Sequence, residues 1–297
     1  MSDVIRIENC RVMQEVNSPS TYRGGGVIET VIYPLHVAGA ARASVALKQN
    51  GWELIGGCSN TLIADGVLNT PVVSTKRLKG VLNCVNNLYV YAGEKLPKVC
   101  SIAAEYALSG LEELSGIPGS IGGGVIMNCG CFGRDMSQVV EYVDIAIDGV
   151  VERLYSCDID WGYRHSGLEK RGIVVGVMLK LSHSSTDQIK KVMAVYKARR
   201  AHQPKRPSLG STFKQVDGVS AGYYIEQAGL KGLALGGAQI SPQHAGFIIN
   251  TGGGTASDYL GLVSKAKKAV KDKFGVELEE EIKFISNRQT KYSTQQA

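Results

Sequence analysis

Residues 37–50 carry Ala and Leu at helical spacing and end at Asn50-Gly51, a pattern that predicts a helix with a glycine stop. Trp52-Glu53-Leu54-Ile55 then reads as a short strand running into Gly56-Gly57-Cys58-Ser59-Asn60, and Leu88 to Ala92 as another strand. A helix is predicted over Lys98 to Leu108, closed by Ser109-Gly110. Val139 to Ile147 and Gly172 to Leu181 are strand-like, the second as a nearly continuous apolar run. Asp187 to Arg200 is a helix whose basic end suits the C-terminal dipole. Composition changes after Pro204 and Pro207, which mark a domain boundary. Beyond it Ala221 to Ala228 is helical, with Ser220 as N-cap and Gly229 as C-cap. Leu260, Val263, Val270 and Phe274 share one face of a helix that Gly275 ends. The last element, Val276 to Ile285, alternates as a strand. It puts Val276, Leu278, Ile282 and Phe284 on one face and Glu277, Glu279, Glu281 and Lys283 on the other. Strands and helices do not alternate regularly, so the pattern predicts α+β rather than one doubly wound sheet. A polar tail, Ser286 to Ala297, reads as frayed.

Glycine changes this picture, with 36 of 297 residues, nearly twice the usual ~7%. The glycines cluster, most densely in residues 116–133, GIPGSIGGGVIMNCGCFG, which cannot be helix or central strand throughout. That segment is expected to be a structured loop. Hydrophobic residues at 44% and charged residues at 20% exclude disorder as the main state. The net charge of +6 arises from scattered basic residues and does not call for nucleic acid. Seven cysteines without a CxxC pair suggest neither a zinc ribbon nor a disulfide framework. The N-terminus has charges where a signal peptide needs an apolar core, and no 18-residue apolar run occurs. A cytoplasmic protein with reduced thiols and no membrane partner is the expectation.

There is no GxGxxG, no GxxxxGK[ST], no HExxH and no GxSxG, and the five histidines never take metal-ligand spacing. What remains is a pair of glycine-rich loops after apolar segments, residues 56–60 and 116–130, each with Ser and Asn. Such loops free backbone N–H groups to converge on an anion, as at a nucleotide pyrophosphate. Each alone is also what an ordinary turn looks like.

Six segments, taken together, resemble one flavoenzyme family: LIGGCSNTLIADG (54–66), GLEELSGIPGSIGGGVIMNCGCFG (110–133), WGYRHSG (161–167), PSLGSTFK (207–214), AGYYIEQAGLKGLALGGAQISPQHAGFIINTGG (221–253) and FGVELEEEIKFI (274–285). The family is the UDP-N-acetylenolpyruvoylglucosamine reductases (MurB) of bacterial cell-wall synthesis. The motifs come in the family's order from Thr21 to Ile285, and the length resembles the shorter of its two subtypes. The resemblance implies an α+β fold with a two-part FAD-binding region of the vanillyl-alcohol-oxidase (PCMH) type. Residues 1–80 and 81–203 would be its two subdomains, and 204–297 a C-terminal α+β substrate-binding domain whose last strand returns to the active site. It also implies non-covalent FAD, with NADPH as co-substrate. The reaction would be reduction of UDP-N-acetyl-3-O-(1-carboxyvinyl)glucosamine to UDP-N-acetylmuramate.

By motif, Gly56, Gly57, Cys58, Ser59 and Asn60 would meet the flavin from one side. Ile117, Gly119, Ser120, Gly122, Gly123, Asn128, Gly130 and Val175 would meet it from the other. Hydride addition at C3 of the enolpyruvyl ether leaves charge at C2 and in the carboxylate, so the chemistry needs a cation and an acid. The resemblance assigns Arg164 as the cation, Ser211 as the proton donor to C2 and Glu281 as its assistant. Tyr163, Lys214, Arg199, His244 and Asn250 are candidate substrate ligands. Without the family, Arg164 reads as a loop-edge arginine, Ser211 as a turn serine and Glu281 as one carboxylate on a strand's wet face. The chain departs from the family pattern at Cys58, where a third glycine is usual, and at Gln215-Val216 and Ala245-Gly246. Cys129 and Cys131 stand where small residues are common and read as packing residues. A monomer or weak oligomer is expected. The alternatives are a related FAD-binding oxidoreductase on another substrate, or an inactive flavin- or nucleotide-sugar-binding protein.

Overall fold

The computed structural model describes residues 5–287, and the expected fraying from position 288 onward lies outside them. The chain divides into two units. The first consists of Val31–Gly57 and Val72–Ala201 with the stretch up to Met13; the second consists of Gln14–Thr30, Cys58–Pro71 and everything from His202. The mixture of helices with mainly antiparallel sheets is the α+β architecture that the irregular pattern predicts.

In the first unit Val150–Tyr155, Val140–Ile147, Ile173–Lys180, Asn87–Tyr91 and Val81–Cys84 form, in that order, an antiparallel sheet. Ile173–Lys180 is buried along nearly its whole length, as its continuous apolar run requires at a central position. Helix α1 (Val37–Asn50) ends on Gly51 at φ +57°, a left-handed cap that glycine adopts without strain. Its Ala40 and Ala43 pack with Val73, Ala146 and Val175. Helix α2 (Leu96–Glu105) starts two residues before the expected Lys98, because Pro97 is pre-organised for the first turn. It ends early, and Ala107 at φ +58° breaks the predicted continuation to Leu108. Helix α3 (Ile121–Ile126) is a six-residue helix inside the glycine-rich segment, followed by the hairpin Gly130–Cys131/Arg134–Asp135. Helix α4 (Thr186–Arg199) is capped by Ser185, whose hydroxyl accepts from Gln188 N. A parallel set, Val31 and Ile32 against Val72–Ser74 against Glu53–Ile55, delivers the chain to Gly56.

The second unit is built on an antiparallel sheet of Ser208–Ser211, Phe247–Asn250, Ala238–Ile240 and Ala234–Leu235. Helix α5 (Ala221–Gln227) has Ser220 at its N-cap as predicted. Helix α6 (Ala256–Phe274) opens with a Thr255/Asp258 capping box and closes on Gly275 at φ +68°. Its Tyr259 is fully buried, edge-on to Tyr22 at 5.0 Å, and shares a 3.0 Å hydrogen bond with Thr212. Asp65 fastens the start of α6: its carboxylate accepts from Ala256 N and Ser257 N, both at 2.8 Å, and from Ser257 Oγ at 2.7 Å. An anion on free helix N–H groups is favourable, and Asp65→Ala should cost about 1.5 kcal/mol in urea unfolding. A loss below about 0.5 kcal/mol, the scatter of ordinary surface changes, would remove Asp65 from that role.

The predicted ten-residue strand at the C-terminus is mostly absent. Only Lys283–Ile285 is strand, parallel to Thr61–Ile63, with an isolated bridge from Glu280 to Phe213. Alternation alone does not make a strand: among the described residues, 276–279 form no ladder, and Glu279 O accepts a single bond from Lys214 N.

Candidate active site

The two glycine loops meet within the first unit. Gly57 N donates to Ser120 Oγ at 3.1 Å, and the same hydroxyl caps α3 by accepting from Gly123 N at 3.4 Å. A Cβ on Gly57 would lie 2.7 Å from Ser120 N and 2.9 Å from Gly119 Cα, and one on Gly56 2.7 Å from Ser120 Oγ. Glycine is therefore required for the loops to close on each other. Helix α3 is pinned from below: Ile121 N donates to Glu94 O, Gly122 N to Ala92 O, and Leu96 N to Gly119 O. Beside this contact is a small cleft lined by Leu54, Gly56, Thr75, Gly122, Gly123 and Val174. Ile117 is partly buried and packs against the core of the first unit.

Val175 does not face this cleft. Its side chain is buried against α1, and its carbonyl accepts from Ala92 N. Successive residues of a strand point to opposite sides, so the cleft receives Val174 instead. The sequence carried this information in the strand's period, once one residue's direction was known.

Tyr163 and Arg164 form the tip of a two-residue turn closed by Gly162 N to His165 O (3.0 Å) and His165 N to Gly162 O (3.2 Å). Arg164 is left-handed at φ +56°, its guanidinium lies 4.9 Å from the Tyr163 ring, and its Nη2 donates to Gly130 O at 3.2 Å. Asn128, buried and at φ +39°, donates from Nδ2 to Gly162 O at 3.0 Å and accepts at Oδ1 from Ser137 N at 3.0 Å. Ser166, which the motif reading passed over, donates to Ile126 O at 2.9 Å. Arg199, in the last turn of α4, has its guanidinium over the rings of Phe132 and Tyr196. Cys131 is held between Glu113 O and the Arg200 guanidinium, and burial raises its thiol pKa. That environment fits packing rather than thiolate chemistry.

In the second unit Cys58 is buried at φ +53°, a backbone region that favours the glycine usual in the resembled family. Thr21 N donates to its carbonyl, and Ser59 follows it. Asn60 Nδ2 donates to Glu281 O at 2.8 Å, and Asn60 O accepts from Lys283 N at 2.9 Å. Glu281 N donates to Thr212 O at 2.9 Å, so Glu281 lies beside the backbone one residue from Ser211. Ser211 is exposed and follows Gly210 at φ +79°. The last turns of the chain thus bring Asn60, Glu281 and the Ser211 segment together. Lys214 is paired with Glu279 at 2.5 Å, and Glu280 takes both its oxygens to Lys267. Gln215-Val216 enter a tight hairpin, Val216 to Val219, whose Asp217-Gly218 tip supplies two positive φ angles.

His244 and Asn250 are engaged in hydrogen bonds within the second unit. Asn250 donates to Tyr22 O at 3.1 Å and accepts from Gly252 N and Gly254 N, leaving its buried amide no capacity for a ligand. This corrects the expectation of Asn250 as a substrate ligand. His244 Nδ1 accepts from Gly246 N at 3.1 Å, and its ring stacks on His202 at 5.6 Å. Burial, then the His202 and Lys231 charges, hold its pKa below the ordinary 6.5, with Glu226 opposing weakly. A depressed folded-state pKa means that the unfolded chain binds the proton more readily. The stabilisation is complete above pH 6.5 and is lost as pH falls below it. Thermal melts should show this slope, flattened in His244→Gln; an equally steep slope in the variant would assign the titration elsewhere.

No group of three or more His, Cys, Asp or Glu among the described residues could hold a metal ion. Among the same residues, no helix is long and apolar enough to cross a membrane.

Residues 203–285 match the family model described as UDP-N-acetylenolpyruvoylglucosamine reductase, C-terminal domain. The chain is 36% identical over 289 residues to a protein of Clostridium botulinum (strain 657, type Ba4) named UDP-N-acetylenolpyruvoylglucosamine reductase, covering 95% of this chain and 94% of that one. To the protein of the same name from Limosilactobacillus fermentum it is 38% identical over 270 residues, covering 89% and 90%. Its fold is similar to the crystal structure of UDP-N-acetylenolpyruvylglucosamine reductase from Thermus caldophilus. The TM-score there is 0.79 at 34% identity, over 93% of this chain and 99% of that one.

Proposed function

Because the chain belongs to the UDP-N-acetylenolpyruvoylglucosamine reductase family, we propose that it reduces UDP-N-acetyl-3-O-(1-carboxyvinyl)glucosamine to UDP-N-acetylmuramate with NADPH, using non-covalent FAD. The observation that carries this reading is the glycine-lined cleft at the contact of Gly56-Gly57 with Ser120–Gly123. The cleft is bare of side chains at Gly56, Gly122 and Gly123, where a phosphate or flavin edge must approach backbone. Bound FAD would take a hydride from NADPH and supply one to C3 of the enolpyruvyl ether.

The chain's residues do the rest. Gly56, Gly57, Ile117, Gly119, Ser120, Gly122, Gly123 and Gly130, with Cys58, Ser59 and Asn60, hold the dinucleotide. Arg164 presents a planar fork to the substrate carboxylate and stabilises the charge that develops there. Ser211 gives its Oγ proton to C2, and Glu281 orients the reacting group. A serine hydroxyl is a weak acid, so it serves only where water is excluded and charge builds beside it. Tyr163, Lys214 and Arg199 bind the UDP-sugar, Lys214 exchanging Glu279 for a substrate anion. His244 shapes the loop before Phe247. Residues 1–80 and 81–203 act as the flavin-binding subdomains and 204–297 as the substrate-binding domain. The reaction belongs to peptidoglycan precursor synthesis in the cytoplasm.

An absorption spectrum before and after anaerobic NADPH, then after the enolpyruvyl substrate, tests this. Yellow protein, bleached and then recoloured, is the expected result. Bleaching without recolouring would favour an oxidoreductase for another substrate. Yellow protein that NADPH leaves unbleached would favour an inactive binding protein. Protein that stays colourless with added FAD would end the flavin reading.

A further inference from the structure

Asn128 stands among the motif's flavin-facing positions, and its side-chain amide bonds to neighbouring backbone. One Nδ2 hydrogen goes to Gly162 O and Oδ1 takes Ser137 N, so each end of the buried amide is bonded within the protein. Gly162 is the first residue of the turn that carries Arg164. Its carbonyl accepts from Asn128 Nδ2 as well as from His165 N, which fills both lone pairs. Two further ties run in parallel between the same segments: Ser166 Oγ donates to Ile126 O, and Arg164 Nη2 to Gly130 O. Residues 126, 128 and 130 thus hold residues 166, 162 and 164. A left-handed arginine persists only where its surroundings over-determine it.

We propose that Asn128 is a positioning residue for Arg164, and that it serves the substrate half of the reaction through the Gly162 carbonyl rather than by contact with flavin. The proposal rests on the role given to Arg164 above. Misplacing a charged group by about 1 Å can cost about a hundredfold in rate, and Asn128→Asp makes such a change at almost constant volume. It keeps the acceptor for Ser137 N, removes the donor and sets an oxygen against the Gly162 carbonyl.

In the flavin-loaded protein, Asn128→Asp should lower the rate of recolouring by enolpyruvyl substrate by about 10- to 100-fold. Flavin dissociation and NADPH-driven bleaching should stay within about twofold of wild type. In an Arg164→Ala background the same substitution should add nothing, since its effect passes through Arg164. Ser166→Ala, which cuts a different tie to the same turn, should give a weaker loss of the same kind. Amide hydrogen exchange gives a readout free of turnover: protection of residues 162–166 should fall in Asn128→Asp while residues 117–123 keep theirs. Weaker flavin binding, slower bleaching or additivity with Arg164→Ala would return Asn128 to the flavin. Unchanged exchange at 162–166 would equally overturn the proposal. If wild-type protein itself is not recoloured by the substrate, the functional reading fails, and the exchange result still decides whether Asn128 holds the turn.

Discussion

Ser211→Ala should slow recolouring by enolpyruvyl substrate by about 10²- to 10⁴-fold, the range for loss of a positioned acid, while NADPH-driven bleaching stays near wild type. The asymmetry follows from where the proton is needed. Reduction by NADPH involves no atom of the enolpyruvyl group, whereas C2 must be protonated before product can leave. Ser211 lies in the second unit, one residue from the backbone carbonyl that accepts from Glu281 N. Its own strand is irregular there, with a register shift between Ser208 and Ser211, which leaves its side chain exposed. Loss of the hydroxyl alone removes no buried contact, so folding and flavin content should not change. Rapid mixing of each half-reaction under anaerobic conditions separates the cases. Equal slowing of both halves would remove Ser211 from the proton-donor role.

The second large effect is expected at the glycine contact, where two substitutions of the same size should behave differently. Gly57→Ala places a methyl 2.7 Å from Ser120 N and 2.9 Å from Gly119 Cα, both backbone atoms that can yield only by moving the loop. Overpacking of this kind costs about 1–3 kcal/mol, and here it also disturbs the Gly57 N to Ser120 Oγ bond. Stability and flavin affinity should fall together, the latter by about tenfold or more at 1.4 kcal/mol per decade. Gly123→Ala meets only the Ser120 hydroxyl, at 3.3 Å, and alanine is the better helix former. Its melting temperature should therefore hold or rise, yet its methyl enters the cleft and flavin affinity should drop. Titration of flavin-stripped protein alongside thermal melts reads both quantities. A Gly123→Ala protein that binds FAD as tightly as wild type would show that the cleft is not the cofactor's seat.

Local pattern in the sequence determined a good deal. The periods of α1, α4 and α6, their glycine or serine ends, and the apolar run of Ile173–Lys180 are all set by neighbours within a few residues. Helix propensity and capping act over that range, so they are legible without a fold. The glycine loops were legible too, because a segment that dense in glycine has few regular options. So was the motif order, and with it the family. Tertiary structure decided what depends on a partner far away in the chain. Residues 276–282 alternate like a strand, but a strand exists only where another lends hydrogen bonds, and Thr61–Ile63 reaches just Lys283–Ile285. Val174 and Val175 alternate by the strand's period, but only the packing of α1 against Val175 shows which of the two sides holds the cleft. Asn250 and Asn128 were candidate ligands by their motif positions. Their amides instead bond to Tyr22 O and Gly162 O, 228 and 34 positions away. Hydrogen-bond direction at a buried amide is chosen by whichever unsatisfied backbone group the fold brings near, and no local pattern encodes it.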